Sequence, residues 1–222
     1  MTRTALRYEI GECIHMCIDA RNISKNHQTQ IYILALHRRL LMNDRIVMDL
    51  EDQMQIVDTS DRADIYINMF VINIAAMCDN IAWALKYQFD LFSDKTDEEI
   101  KKKVDIFNPP FRNQLKTIDE NITPYWQKGP GAQKTSPVFF GKWYSTFLEK
   151  LRHLSAHRIP LLVTQVPKNG EIELQIMAAN ESLEFHDVEE LYFNHLTLNM
   201  LLKLLLNFYI SNTKRMAVEG EK

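Results

Sequence analysis

The residues best suited to chemistry lie in one short stretch, LRHLSAHRIP, at residues 151–160. It carries Arg152, His153, His157 and Arg158 and ends at a proline. A histidine can both accept and donate a proton near neutral pH, and an arginine can hold a phosphate through two parallel hydrogen bonds. This combination suits cleavage of a phosphodiester by an internal hydroxyl, as in RNA, without a metal ion.

The spacing of these residues limits how they could act together. His153 and His157 are four apart and share a helix face, whereas Arg152 and His157 are five apart and diverge by about 140°. Pro160 should end the helix two or three residues earlier, and the partial negative charge of that helix end favours a protonated histidine. Arginine and histidine would converge on one ligand only at a frayed helix end, or where two copies of the helix meet.

A helical body must position this stretch. Apolar residues recur at helical spacing over residues 4–20, from Thr29 to about Val57, and from a start signal at residues 58–61 to about Leu91. The third of these helices is apolar on nearly all sides and should be central and buried. The second carries its pattern on Ile31, Leu34, Leu41, Met48 and Leu50. The stretch itself ends a further helix with the apolar seam Phe140, Tyr144, Phe147, Leu151 and Leu154.

Polar side chains interrupt the central helix. Asn73 and Asn80 are seven apart and share a face, and Asp79 is the neighbour of Asn80. A buried amide needs a hydrogen-bond partner, which an arginine or histidine of LRHLSAHR could supply as well as backbone, water or another amide. The same interruptions argue against a membrane span, which needs about 20 consecutive apolar residues. The charges on the preceding helix, Arg38 and Arg39 among them, indicate mainly a solvated face.

The pattern changes after Pro160. Asn169-Gly170 between two extended runs predicts a β-hairpin at about 161–178, with Val163 opposite Ile176. A last helix should begin at Asp187 and run to about Asn212, followed by a frayed tail. An irregular segment is expected at about 93–139. It should contain a short helix that a capping box of Thr96 and Glu99 opens and Asn108-Pro109-Pro110 ends, and another short helix at residues 111–120.

The composition agrees with one mainly α-helical domain over residues 1–222. The chain has 222 residues, 46% of them hydrophobic, and only 6 glycines and 7 prolines. A net charge of -3 excludes a global basic field, so any nucleic-acid contact must be local. Three cysteines without a CxxC pair argue against disulfides, and the start MTRTALRYEIGEC has no signal-peptide core. A reduced, cytoplasmic setting is therefore expected.

The six residues RHLSAH, Arg152 to His157, resemble the R-x4-6-H signature of HEPN domains. The resemblance implies an HEPN-like helical bundle with the small hairpin inserted before the C-terminal helix, often a homodimer in which the motifs of both copies line one cleft. It implies a metal-independent, cofactor-free ribonuclease of toxin–antitoxin or phage-defence type, with RNA as substrate and an antitoxin protein as partner. Arg152 would hold the phosphate, His157 would act as acid or base, and His153 would assist. Asp79 or Asn80 would correspond to the acidic or amide residue of a facing helix.

Three other interpretations remain open. Arg158 and the two histidines could cap helix carbonyls and pair with acidic residues of the bundle. A non-catalytic HEPN-like module could bind RNA, a nucleotide or a protein partner. His153 and His157 also have the spacing of a zinc pair, with Asp79, His186 or His195 as a further ligand, although no glutamate lies between them as in HExxH.

Overall fold

The computed structural model describes residues 2–53, 60–122, 161–168, 171–179 and 183–220. Within these ranges the chain forms six helices and three strands. They are α1 (Thr2–Ile23), α2 (His27–Gln53), α3 (Ser60–Gln88), α4 (Asp97–Lys103), α5 (Pro109–Ile118), β1 (Leu162–Lys168), β2 (Glu171–Ala179), β3 (Leu183–Asp187) and α6 (Val188–Glu219). The predicted mainly α-helical class is confirmed.

The four long helices pack as a closed bundle. α1 contacts α2, α2 contacts α3, α3 contacts α6, and α6 returns to α1. Each helix buries one apolar stripe against its two neighbours, which is how an amphipathic helix removes its apolar side chains from water. In α1 the buried stripe is the predicted one, with Leu6, Ile10, Cys13 and Cys17 fully or almost fully buried.

The buried stripe of α2 shares only Leu50 with the predicted pattern. The core residues are Ile33, Leu36, Leu40, Val47 and Leu50, whereas Ile31 is 45% exposed and Leu41 is 47% exposed. α2 is apolar on more than one side, so two stripes have the same helical period. The positions of α1 and α3 decide which one is covered, and periodicity alone does not contain that information.

α3 is the central helix, but it is not buried on all sides. Ile65 is 57% exposed and Met69 is 36% exposed, because nothing among the packed helices covers that side. Arg62–Gln88 is long and apolar enough to cross a membrane by length and composition, yet 61% of its most apolar stretch is buried. This burial is what a core helix of a bundle shows.

The segment after α3 contains the two short helices that the sequence predicts, α4 and α5. α3 ends at Gln88, and the turn that follows holds Asp90 and Phe92 at positive φ. The predicted capping box at Thr96 is confirmed, since its hydroxyl accepts from the Glu99 N–H and the Glu99 carboxylate accepts from the Thr96 N–H. α4 ends at Lys103, before the predicted end at Asn108-Pro109-Pro110. Pro109 instead begins α5, because proline fits the first turn of a helix.

The strands form a small sheet beside the bundle. β1 and β2 pair antiparallel with Val163 opposite Ile176, the register that the hairpin pattern predicts. The two turn residues, 169 and 170, lie outside the described residues. β3 was not predicted and extends the sheet to the order β1-β2-β3. β1 packs on α3, while β2 and β3 pack on α6.

The last helix is longer than predicted. α6 continues to Glu219 instead of ending near Asn212, so the polar residues expected to fray are helical. Its apolar side lies in the bundle core, with Leu198, Leu202, Leu205 and Tyr209 fully buried. Burial of this side against α1 and α3 stabilises the helix as far as Thr213, and exposed residues continue it to Glu219.

Candidate functional site

The motif residues Arg152, His153, His157 and Arg158 lie at positions 151–160, outside the described residues. Their predicted roles and their mutual geometry therefore stay predictions. The described chain resumes at Leu161, the residue that directly follows Pro160.

Leu161 is fixed to the central helix. The Asn68 side chain of α3 donates from Nδ2 to the Leu161 carbonyl at 2.8 Å and accepts the Leu161 N–H at Oδ1 at 3.0 Å. Leu161 is also fully buried in the core. Because one side chain satisfies both backbone groups, the chain that leaves LRHLSAHRIP is held at one level of α3.

The two predicted supporting residues of α3 face different surroundings. Asp79 is exposed, whereas Asn80 is 8% exposed. The Asn80 Nδ2 group is buried without a hydrogen-bond partner. An unpaired buried amide is uncommon and costs free energy, so this position is a candidate for a bound group.

Asn73 finds its partners on α2 rather than in the motif. Its Oδ1 accepts a hydrogen bond from Arg39 Nη1 at 2.8 Å, and its Nδ2 donates to Asn43 Oδ1 at 3.1 Å. Asn43 in turn lies 3.4 Å from Nε2 of His195 on α6. A polar chain thus runs from the half-buried Arg39 through two buried amides to a buried histidine.

His195 is the inner end of this chain and is neutral. Complete burial lowers its pKa from 6.5 to about 3, because the charged imidazolium would lose its hydration. The Phe70 ring packs edge-on at 5.0 Å between centroids, and Nδ1 has no hydrogen-bond partner. Among the residues that the structure describes, no group of three or more His, Cys, Asp or Glu side chains is placed to hold a metal ion.

Sequence reasoning missed Arg39 as an interior residue. The charge pattern predicts a solvated face for this residue, but its guanidinium donates a hydrogen bond to the buried Asn73. The spacing of Arg39 and Asn43 could have indicated this, because residues four apart share one face of α2. That face lies next to the face of α3 that carries Asn73 and Asn80. A repeated polar face on two neighbouring helices indicates a polar layer inside a bundle.

No family model matches the chain, and neither any curated protein nor any solved structure matches it significantly.

Proposed function

We propose that the chain is an HEPN-like, metal-independent endoribonuclease that acts as a homodimer in the cytoplasm. Its setting would be a toxin–antitoxin or phage-defence system, with an antitoxin protein as regulatory partner. Arg152 stabilises the charge that builds on the phosphoryl oxygens, His157 is the general acid or base, and His153 orients or assists. Asp79, Asn80 and Arg158 support the cleft.

The proposed step is an internal transfer of the phosphodiester. The ribose 2′-oxygen forms a bond to phosphorus as its proton passes to a base, and the bond from phosphorus to the 5′-oxygen breaks as that oxygen receives a proton. The products are a 2′,3′-cyclic phosphate and a 5′-hydroxyl end. No redox change or metal ion is required, and a histidine can serve each proton transfer.

The observation that carries this proposal is the anchoring of Leu161 by Asn68. His157 lies four residues before Leu161, so the extended chain bounds their Cα separation at about 14 Å. Asp79 lies eleven residues after Asn68 on the same helix, which corresponds to about 16 Å along its axis. The motif is thus tethered to the helix that carries its proposed supporting residues.

The helix that the sequence predicts for Arg152 to His157 favours a dimer. Residues five apart point about 140° away from each other, so one copy does not direct both side chains at one phosphate. Two copies related by a two-fold axis can supply the arginine and the histidine from both motifs to one cleft.

The test is a cleavage assay on single-stranded RNA in the presence of a chelator. Arg152→Ala and His157→Ala should each reduce the rate at least about 100-fold, the usual contribution of acid–base catalysis. Arg62→Ala and His15→Ala remove exposed side chains of the same types elsewhere and should leave the rate unchanged. Specific activity should also fall on dilution as the dimer dissociates. Undiminished cleavage by both motif variants would exclude this site.

The second candidate is a non-catalytic HEPN-like module that binds RNA, a nucleotide or a protein partner. The observation that favours it is the half-buried Arg39, whose hydrogen bond goes to a neutral amide. A cation in this setting can bind an anionic ligand without any catalysis. Purified protein that binds RNA and leaves it uncleaved would support this candidate over the nuclease.

A further inference from the structure

Three aromatic rings gather where the start of α2 meets the end of α3. Tyr32 lies 6.0 Å from Trp83 and 5.7 Å from Tyr87 between ring centroids, with both pairs tilted by only 16°. Trp83 and Tyr87 are 5.8 Å apart. All three rings are half-buried, so this near-parallel group keeps a side toward solvent. Such rings are platforms on which nucleic-acid bases stack.

The lysine at these rings and two arginines farther along α2 lack acidic partners in the part of the chain that the structure describes. Lys86 Nζ lies 4.5 Å from the centroid of the Tyr87 ring, and neither it nor Arg38 or Arg39 has a carboxylate within 4 Å among the described residues. Elsewhere in the bundle cations are paired, as in the contacts of Arg7 with Asp44 and of Arg45 with Asp49. The positive charge near the rings is therefore free to attract an anion.

Two buried donors in the same region have no acceptor. The Arg39 Nε–H and the Asn80 Nδ2 group are both buried without a hydrogen-bond partner. Since Tyr32 meets Trp83 and Asn43 meets Asn73, α2 and α3 run antiparallel, and Arg39 lies at a level between Asn73 and Asn80. Donors without acceptors between these helices favour a ligand with acceptor oxygens, such as a phosphate.

The separation of the rings and the donors suits a nucleotide chain. Tyr32 and Arg39 are seven residues apart, or about 10 Å along α2, and Asn80 and Trp83 are three apart, or about 4.5 Å along α3. A base on the rings would thus place a nearby phosphate within reach of the Arg39 guanidinium. We call the set of Tyr32, Trp83, Tyr87, Arg39 and Asn80 the α2/α3 strip.

We propose that the α2/α3 strip binds single-stranded RNA, with a base stacked on the rings and a phosphate held by Arg39. The choice of RNA rests on the function proposed above. The strip would be an RNA-binding surface separate in sequence from Arg152 and His157. Lys86 adds local positive charge to a chain whose net charge is -3. The stacking is tolerant of base identity, because every base has an aromatic face.

The test measures binding without cleavage. A short fluorescein-labelled 2′-O-methyl oligoribonucleotide lacks the attacking hydroxyl, and its fluorescence anisotropy reports the dissociation constant. Trp83→Ala should weaken binding about 5- to 100-fold, the range for loss of one stacked base. Tyr8→Ala is the matched control, since Tyr8 is an exposed aromatic residue of α1. Its dissociation constant should equal that of the parent chain.

The salt dependence separates phosphate contact from stacking. Arg39→Gln keeps a donor for Asn73 but removes the charge, and should reduce the slope of log affinity against log salt by about 0.7, the value for one single-strand phosphate. Arg39→Lys should keep the slope, and Trp83→Ala should weaken binding with the slope unchanged. Arg62→Gln removes an exposed arginine near the other end of α3 and should leave the slope as in the parent. Circular dichroism checks that each variant is folded.

The outcomes distinguish this proposal from the nuclease. If the folded Trp83 and Arg39 variants bind like the two controls, or if the parent chain shows no binding, the strip is not an RNA-binding surface. If Trp83→Ala instead dissociates a dimer and leaves affinity intact, the rings form a contact between copies and the proposal is overturned. Cleavage that depends on Arg152 and His157 can persist in either case. Binding through the strip without such cleavage supports the strip and overturns the nuclease.

Discussion

The Asn68 side chain forms two hydrogen bonds with the backbone of Leu161, 93 residues away along the chain. The same Nδ2 group also donates to the Asp64 carbonyl of its own helix at 2.7 Å, which fixes the amide plane. The backbone at Leu161 is therefore paired before β1 begins, and its side chain is buried. This amide joins the end of the motif segment, the start of the sheet and the central helix.

Replacing this amide should loosen the sheet. Asn68→Leu leaves the N–H and the carbonyl of Leu161 without partners, and we expect a loss of about 2–4 kcal/mol in the free energy of unfolding. Asn194→Ala is the control, because the amide of Asn194 bonds only the carbonyl of Glu190 in its own helix. Urea unfolding followed by circular dichroism measures both. A loss no larger than that of the control would show that Asn68 does not anchor Leu161.

The buried His195 should make stability depend on pH. Its pKa is about 3 in the folded chain and 6.5 when unfolded, so only the unfolded chain gains a proton between those values. Stability is therefore full above pH 6.5 and falls as pH decreases toward 3. Lowering the pH from 7 to 5 should therefore reduce the free energy of unfolding by about 2 kcal/mol through this histidine.

Substitution isolates this effect from those of other titrating groups. His195→Leu should lower stability at pH 7, since the Nδ2 group of Asn43 loses its contact with Nε2 of His195. It should also reduce the difference between pH 7 and pH 5 by about 2 kcal/mol. His15→Gln changes an exposed histidine and should keep the full difference. Urea titrations at the two pH values supply the measurement. An unchanged difference in His195→Leu would contradict the neutral buried state.

The three cysteines should be unreactive in the folded chain. Cys13, Cys17 and Cys78 are buried, and burial raises the pKa of Cys17 to about 12 and that of Cys13 further still. A thiol-specific chromogenic disulfide reagent at pH 8 should label almost none of them, because the thiolate is the reactive form. In denaturant all three should react. Rapid labelling of Cys13 or Cys17 in the native protein would show that α1 opens from the bundle.

The capping box of α4 should contribute a measurable stability. Thr96→Ala removes the hydroxyl that accepts the Glu99 N–H at 3.4 Å, and we expect a cost of about 1 kcal/mol. Thr117→Ala is the matched control, because the Thr117 hydroxyl bonds a carbonyl of its own helix, that of Gln114. Chemical unfolding of both variants tests the difference. Equal stabilities would mean that α4 is held by Ile100 packing alone.

The sequence was informative where the structural signal is local. Thr96 and Glu99 satisfy each other within one turn, and the alternation around Asn169-Gly170 sets the register of β1 and β2 without help from the rest of the chain. The stripe of α1 was also correct, since that helix has one apolar side. These features depend on residues close together in the chain, which a sequence displays directly.

The remaining features depend on which helix lies beside which. Ile31 and Ile33 are both apolar, and only the positions of α1 and α3 leave the first exposed and the second buried. Arg39 was assigned to solvent because its partner, Asn73, is 34 residues away on another helix. Likewise, no turn signal like Asn169-Gly170 precedes β3 in the sequence. β3 forms because β2 has an open edge with which it can pair.

The pairing of α1 with α6 has a consequence for how the protein is made. Cys13 contacts the carbonyl of Asn199, and Arg3 pairs with Glu189, each across 186 residues. At ordinary translation speeds of about 5–20 residues per second, the stretch between the two helices takes about 10–30 s to synthesise. During that interval one side of α1 has no partner. The newly made N-terminal helix therefore depends on α2 or on chaperones to shield its apolar stripe until the last helix leaves the ribosome.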